Sequence, residues 1–196
     1  MADLAKYAEA IWPALGVSCG ARLRPYTLGH AHLLCCAGSP FLLGDRPAGL
    51  GDLLLASEIC RRPWRKSARL AGGRFLPLLL RWNARRALRQ PASWAEAQIG
   101  AMTVHLTPAM PQIWSKKNDA RALGTSWLQQ IRVTLLGRLG ASYETVMDVP
   151  VAQAIWDCCA HWEMEGTIEL GNSSDDALLA AAKRMMAAKA TSPART

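Results

Sequence analysis

Apolar positions in this chain recur at intervals of three and four residues, the spacing of one face of an α-helix, and no stretch alternates convincingly with the two-residue period of a half-buried strand. Helix punctuation falls between these runs. Asp3 is placed to cap a first helix ending before Pro13. Thr27 follows the Pro25-Tyr26 turn as the expected N-cap of a second, with Gly38 just past its end and Ser39-Pro40 barring continuation. This helix is apolar on nearly every side (Leu28, Ala31, Leu33, Leu34, Cys35, Cys36), which predicts the most buried helix of the fold. A turn-rich segment over 44–51 leads to Asp52, the expected cap of a helix from Leu53 to Arg62 that Pro63 stops.

The run from Arg74 to Arg89 predicts a two-faced helix. Arg74, Arg81, Arg85 and Arg89 fall within about 80° of one another, while Leu76, Leu79, Leu80 and Ala87 lie opposite. Pro91 ends it, and Ser93 is placed to cap a helix from Trp94 to His105. Pro108, Pro111, Lys116, Lys117 and Asn118 mark 106–123 as an exposed connection or hinge. Helix is expected again from Ser126 to Leu139, with Leu128, Ile131, Leu135 and Leu139 on one face and Gly140 as its stop. Asp148 and Pro150 open the clearest helix. Val151, Ile155, Cys158, Cys159 and Trp162 form its stripe, Gln153, Asp157 and His161 face the other way, and Gly166 closes it. Thr167 to Leu170 reads as a short extended run. Ser173 or Ser174 then caps a last helix, with Asp175 and Asp176 in its first turn and Lys183 and Arg184 toward its end.

The expected fold class is therefore all-α, a compact bundle of about eight or nine short helices with no substantial sheet. It divides into a basic helical region over 1–105, the connection over 106–123, an acidic-to-mixed helical region over 124–190 and a disordered tail over 191–196, within one compact domain.

Charge changes this picture more than composition does. With 196 residues and 51% apolar content the chain can bury one core. The formal net charge of +8 points only mildly to an acidic partner. The first dozen residues lack the cationic flank and apolar core of a signal peptide. The longest apolar runs, Leu53 to Ala56 and Phe75 to Leu80, fall far short of the ~20 residues a membrane span needs. A cytoplasmic protein without a membrane partner is expected. The distribution of charge is sharper. Ten Lys/Arg and no acid lie between Arg61 and Arg89, whereas eight acids and no Lys or Arg lie between Gly140 and Ala182. Such a split bears on partners and assembly rather than catalysis.

Catalytic patterns are lacking. There is no phosphate-binding loop, dinucleotide fingerprint, zinc-protease pair or nucleophile elbow, and Gly72-Gly73 lacks the Lys and Ser/Thr of a phosphate cradle. Of Asp157, Glu163 and Glu165, only Asp157 and Glu165 come near one helix face, two turns apart, so solvated surface is expected. His30 and His32 fall on nearly opposite sides of one helix, which predicts one packed imidazole and one partly exposed. His161, on a polar face, is expected at the surface. The cysteines at 19, 35, 36, 60, 158 and 159 include two vicinal pairs and no C-x-x-C. Buried, reduced thiols are expected, and the spacing gives no support to a zinc site from Cys35, His30 and Cys158 or His161. No enzyme activity, catalytic residue, cofactor or metal is expected.

Trp64, Phe75, Trp82 and Trp94 are interleaved with the arginines. Arginine pairs with carboxylates across protein interfaces, and aromatic–arginine stretches also bind nucleic acid. The candidate partner-binding residues are Arg74, Arg81, Arg85 and Arg89, with Asp157 and Glu165 on the acidic side. A protein partner or self-association is the first reading, and nucleic acid the second.

Two stretches resemble tail-assembly-associated proteins of tailed bacteriophages and prophages, tail assembly chaperones among them. One runs Leu23-Arg24-Pro25-Tyr26-Thr27-Leu28-Gly29-His30, through Leu33-Leu34, to Gly38-Ser39-Pro40-Phe41. The other is Val151 to Gly166, with Trp162-Glu163-x-Glu165-Gly166, followed by an acid-capped helix. The resemblance covers about a fifth of the chain, includes no catalytic or metal residue, and leaves the arginine stretch unmatched. It implies a non-enzymatic protein that binds phage structural subunits, by coating a tail tape-measure or by joining the particle.

Overall fold

The computed structural model describes residues 8, 10, 11, 15–108, 110, 111, 113–115 and 126–170. Among these, eight α-helices and one 3-10 turn carry the fold, and only two short two-stranded ribbons accompany them, so the protein is all-α. The expected cap at Asp3, the last helix from Ser173 and the tail over 191–196 lie outside the described residues.

The β1 strand (Val17–Ser18) forms a hairpin with β2 (Ala21–Arg22). Cys19 and Gly20 turn it with φ of 53° and 74°, the doubly left-handed geometry that matches strand twist in a two-residue turn. Four strand residues carry too little alternation to be seen in a sequence.

Helix α1 (Leu28–Cys36) starts at Thr27, whose hydroxyl accepts from the His30 amide. The reciprocal bond comes from the Thr27 amide to His30 Nδ1, at 3.2 Å. Nδ1 is thus an acceptor. Nε2 carries the proton and donates it to the Arg62 carbonyl at 2.7 Å. Gly38 leaves the helix in the left-handed region, φ 66°. Ser39-Pro40 then begins a helix as well as ending one, because proline suits the first turn of α2 (Pro40–Leu43).

Helix α3 (Leu50–Cys60) begins at Gly49, three residues before the expected start. Asp52 is not its N-cap. It occupies the third helical position, accepts from the Gly49 amide at 2.9 Å and forks onto Arg46 with two bonds of 2.7 Å. The Arg46 guanidinium holds the Asp52 carboxyl below its usual range. The most buried helix is α3 rather than α1: seven of its eleven residues are buried, whereas His32 and Cys36 of α1 are exposed.

A helix unmarked in the sequence, α4 (Trp64–Ala71), follows Pro63 and hangs on α3 through the Ser67 hydroxyl, which donates to the Ile59 carbonyl at 2.7 Å. Helix α5 (Phe75–Ala87) tolerates Pro77 because the proline falls in the first turn, where no amide acceptor is needed. Helix α6 (Ala92–Leu106) starts at Pro91, not Ser93, and no side chain caps it.

The connection over 106–123 is not wholly irregular. Its β3 (Ile113–Ser115) pairs antiparallel with β4 (Ile168–Leu170), Trp114 opposite Glu169. Helix α7 (Trp127–Gly137) is capped by the Ser126 hydroxyl, and its Leu139 overhang is exposed. A 3-10 turn (Val146–Asp148) leads into α8 (Val151–Met164) at Pro150.

The starts of α1 and α8 are zipped together. The Leu28 amide donates to the Val149 carbonyl at 3.0 Å, and the Val151 amide to the Tyr26 carbonyl at 2.8 Å. Around this joint lies one cluster of buried side chains, to which Leu34, Leu53, Met102, Ile131, Val151 and Ile155 all contribute. Gly29 sits inside it. A Cβ there would collide with the Trp64 indole.

Candidate partner-binding surface

Helix α5 packs on α3 and α4 through one side only. Leu76, Leu80, Asn83 and Ala87 (spacing i, i+4, i+7, i+11) turn inward and are buried or half-buried. Arg74 just before the helix, Arg81 and Arg85 within it, and Arg89 just after it are all exposed, as the pattern predicts. The outer face is not purely basic, however. Phe75, Leu78 and Trp82 are 75%, 61% and 56% exposed among these arginines, and Leu88 beyond the last turn is exposed too. An angular reading assigns apolar residues to the core by default; here the inner side of α5 is already filled.

None of Arg74, Arg81, Arg85 and Arg89 forms an ion pair among the described residues. Three others in the basic stretch do. Arg65 meets Asp148 at 3.3 Å and donates to the Glu144 carbonyl, the one ion pair among the described residues that joins the two charge blocks; both its side chains are about half exposed. Arg61 and Arg62 are claimed by Glu58.

Glu58 is the buried charge that the sequence reading missed. It is 3% exposed and sits in α3. Its Oε1 receives Arg61 at 2.8 Å and the Asn83 amide at 2.9 Å, and its Oε2 receives Arg62. The signal was present as the spacings i, i+3 and i, i+4 from Glu58 to the two arginines. Burial lowers the pKa of Arg61. With both oxygens engaged, this buried carboxylate ties Arg61 and Arg62 at the end of α3 to Asn83 of α5.

Above Glu58 opens a cleft of about 300 Å³ between the β1–β2 hairpin, α3, α5 and α6. Arg61, Asn83 and Arg86 line it together with Trp82 and Trp94. The Arg86 guanidinium lies over the Trp82 ring, 4.9 Å from its centroid.

The acidic residues fall elsewhere. Helix α8 packs against α7, β4 and α1, so Asp157 and Glu165 sit on a different helix assembly from the α5 arginines. Asp157 is half-buried rather than solvated, and burial raises its carboxyl pKa against the opposing bond from Gln153. Glu165 is exposed and stands 3.3 Å from His161 Nε2, and His161 is itself half-buried rather than at the surface.

His30 is buried and hydrogen-bonded while His32 is exposed, the division expected of the pair. The thiols divide as well. Cys60, Cys158 and Cys159 are buried, and burial pushes their pKa values up to about 12, 12 and 11. Cys19 and Cys35 are only half-buried and Cys36 is exposed, its sulfur 3.7 Å from His32 Nε2. Helix α1 turns that edge outward, toward a second cleft of about 260 Å³ that Arg132 also lines. Among the described residues no three His, Cys, Asp or Glu side chains converge as metal ligands, and no helix is long and apolar enough to cross a membrane.

Comparison of the chain with protein-family models, with curated proteins and with solved structures finds no match.

Proposed function

We propose that this is a non-enzymatic structural or assembly protein that binds another protein through the outer face of α5. The observation that carries the reading is the face itself: Phe75, Leu78 and Trp82 exposed among arginines that have no carboxylate partner among the described residues. Large apolar side chains grouped on a surface mark interaction sites. Arginine and aromatic residues are the types enriched where protein interfaces concentrate their energy. The narrower role, binding tail or other virion subunits during bacteriophage or prophage assembly in the host cytoplasm, draws on the resemblance of the segments over 23–41 and 151–166 to tail-assembly-associated proteins.

One feature favours a second reading, a basic helical nucleic-acid-binding protein: aromatic rings interleaved with guanidinium groups are also a stacking and phosphate surface. One experiment separates the two. The protein is co-expressed with the products of its flanking genes and purified by affinity, and in parallel titrated with DNA and RNA in gel retardation. The protein-binding reading expects a stoichiometric partner and little retardation at physiological salt. Tight, salt-steep retardation with no protein recovered would replace it with the second.

A further inference from the structure

We propose that the cleft above Glu58 is a binding site for a carboxylate side chain presented by a polypeptide. The inference deepens the reading of α5 as a partner-binding face and rests on it for the carrier of that carboxylate.

The floor of the cleft fixes its sign. Glu58 has both oxygens engaged by Arg61, Arg62 and Asn83, so it offers nothing to an incoming cation. It acts as a post that holds Arg61 and Asn83 in place. Of the charged groups that line the cleft, Arg61 and Arg86 are cationic and Glu58 is anionic, leaving a local charge of two minus one, or +1.

The wall supplies the fork. Arg86 has no carboxylate within ion-pair reach among the described residues, and its contact is the Trp82 ring beneath it. A guanidinium carries its donors in a planar fork that takes a carboxylate with two parallel bonds, and no carboxylate among the described residues occupies that of Arg86. The neighbouring helix α6 presents Trp94 to the cleft from its first turn.

The indoles define the rest of the ligand. Trp82 and Trp94 flank the two arginines, and Trp82 also belongs to the outer face with Leu78 and Phe75, so the cleft opens onto that face. A volume of about 300 Å³ is at the small end of ligand sites and admits an acidic side chain with one apolar neighbour. A nucleic-acid backbone would track the unpaired arginines along the outer face, whereas the cleft, a pocket of about 300 Å³ walled by rings, fits a single side chain.

The test uses the full chain and an N-acetylated, C-amidated hexapeptide of alternating glutamate and leucine. Binding is read from the indole N–H resonances of Trp82 and Trp94 in nitrogen–proton NMR, assigned with Trp82→Phe and Trp94→Phe. Both resonances are expected to shift saturably. Replacing the glutamates of the peptide by glutamine should weaken binding by about tenfold or more, and Arg86→Ala should do the same, because a bond to a charged group is lost in each case. Arg86 is chosen over Arg61 because it is exposed and its removal leaves Glu58 fully paired. If the acidic peptide leaves both indoles unmoved, or if inorganic phosphate or a single-stranded oligonucleotide moves them more strongly, the proposal fails. The Arg81→Glu/Arg85→Glu variant keeps the two ideas apart. Partner loss in that variant, with a peptide-blind cleft in the wild type, removes the cleft alone. Retained partner binding in that variant, with a responsive cleft, removes the outer face alone.

Discussion

His30 takes the place that glutamate or glutamine usually holds three residues after a threonine N-cap. Being titratable, it makes the start of α1 sensitive to pH. Burial lowers its pKa, and burial lowers that of His105 as well. In the unfolded chain both return to about 6.5, so as pH falls below that value the unfolded state takes up protons that the native state refuses. The stabilisation is complete above about pH 6.5 and drains away as pH falls toward the folded pKa values. Urea unfolding at neutral pH and near pH 5.5 should show the loss. His30→Gln, which keeps a capping partner but cannot titrate, should be less stable at neutral pH yet lose less on acidification. Gly29 has a different constraint: alanine there collides with the Trp64 ring and the Met147 carbonyl, and should cost about 1–3 kcal/mol in thermal or urea unfolding. Among the thiols, native-state alkylation mapped by mass spectrometry should label Cys36 first and spare Cys60, Cys158 and Cys159 until unfolding. Thr27 could be read from the chain because a cap is a local event. The exposure of Cys36 could not, since it depends on which edge of α1 faces α7 and the second cleft.

At the scale of elements, what the sequence made legible was periodicity and punctuation. Thr27, Gly38, Ser126, Gly140 and Pro150 mark real boundaries because each acts within one turn of itself. The starts of α3 and α6 were misplaced because Asp52 and Ser93 have cap chemistry but sit inside the first turn, where a carboxylate can reach back to the Gly49 amide. Helix α4 was hidden by its composition, three basic residues in a span of eight, and the β3–β4 ribbon by the long separation of its strands. Glu58 decides how α3 and α5 meet. Glu58→Ala strips Arg61, Arg62 and Asn83 of their common acceptor, and should cost about 3 kcal/mol in urea unfolding, more than any exposed acid of α8. A loss no larger than that of Glu165→Ala would show that the network carries no net weight.

At the scale of the whole molecule, the described parts of the two charge blocks do not simply face each other. Basic α5 and acidic α8 pack against different elements, and the one Arg65–Asp148 pair that joins the blocks among the described residues is exposed and screened by salt. Among the described residues the α5 arginines have no carboxylate partner, and the sequence could indicate their shared face but not the apolar residues exposed among them. The most direct measurement is the affinity of the protein for its co-purified partner in rising salt, for the wild type and for Arg81→Glu/Arg85→Glu. Wild-type affinity is predicted to fall as salt rises, and the double reversal to abolish association at every salt while circular dichroism and the thermal midpoint stay unchanged, because the core side of α5 is untouched. Association unchanged by the reversal would contradict the account.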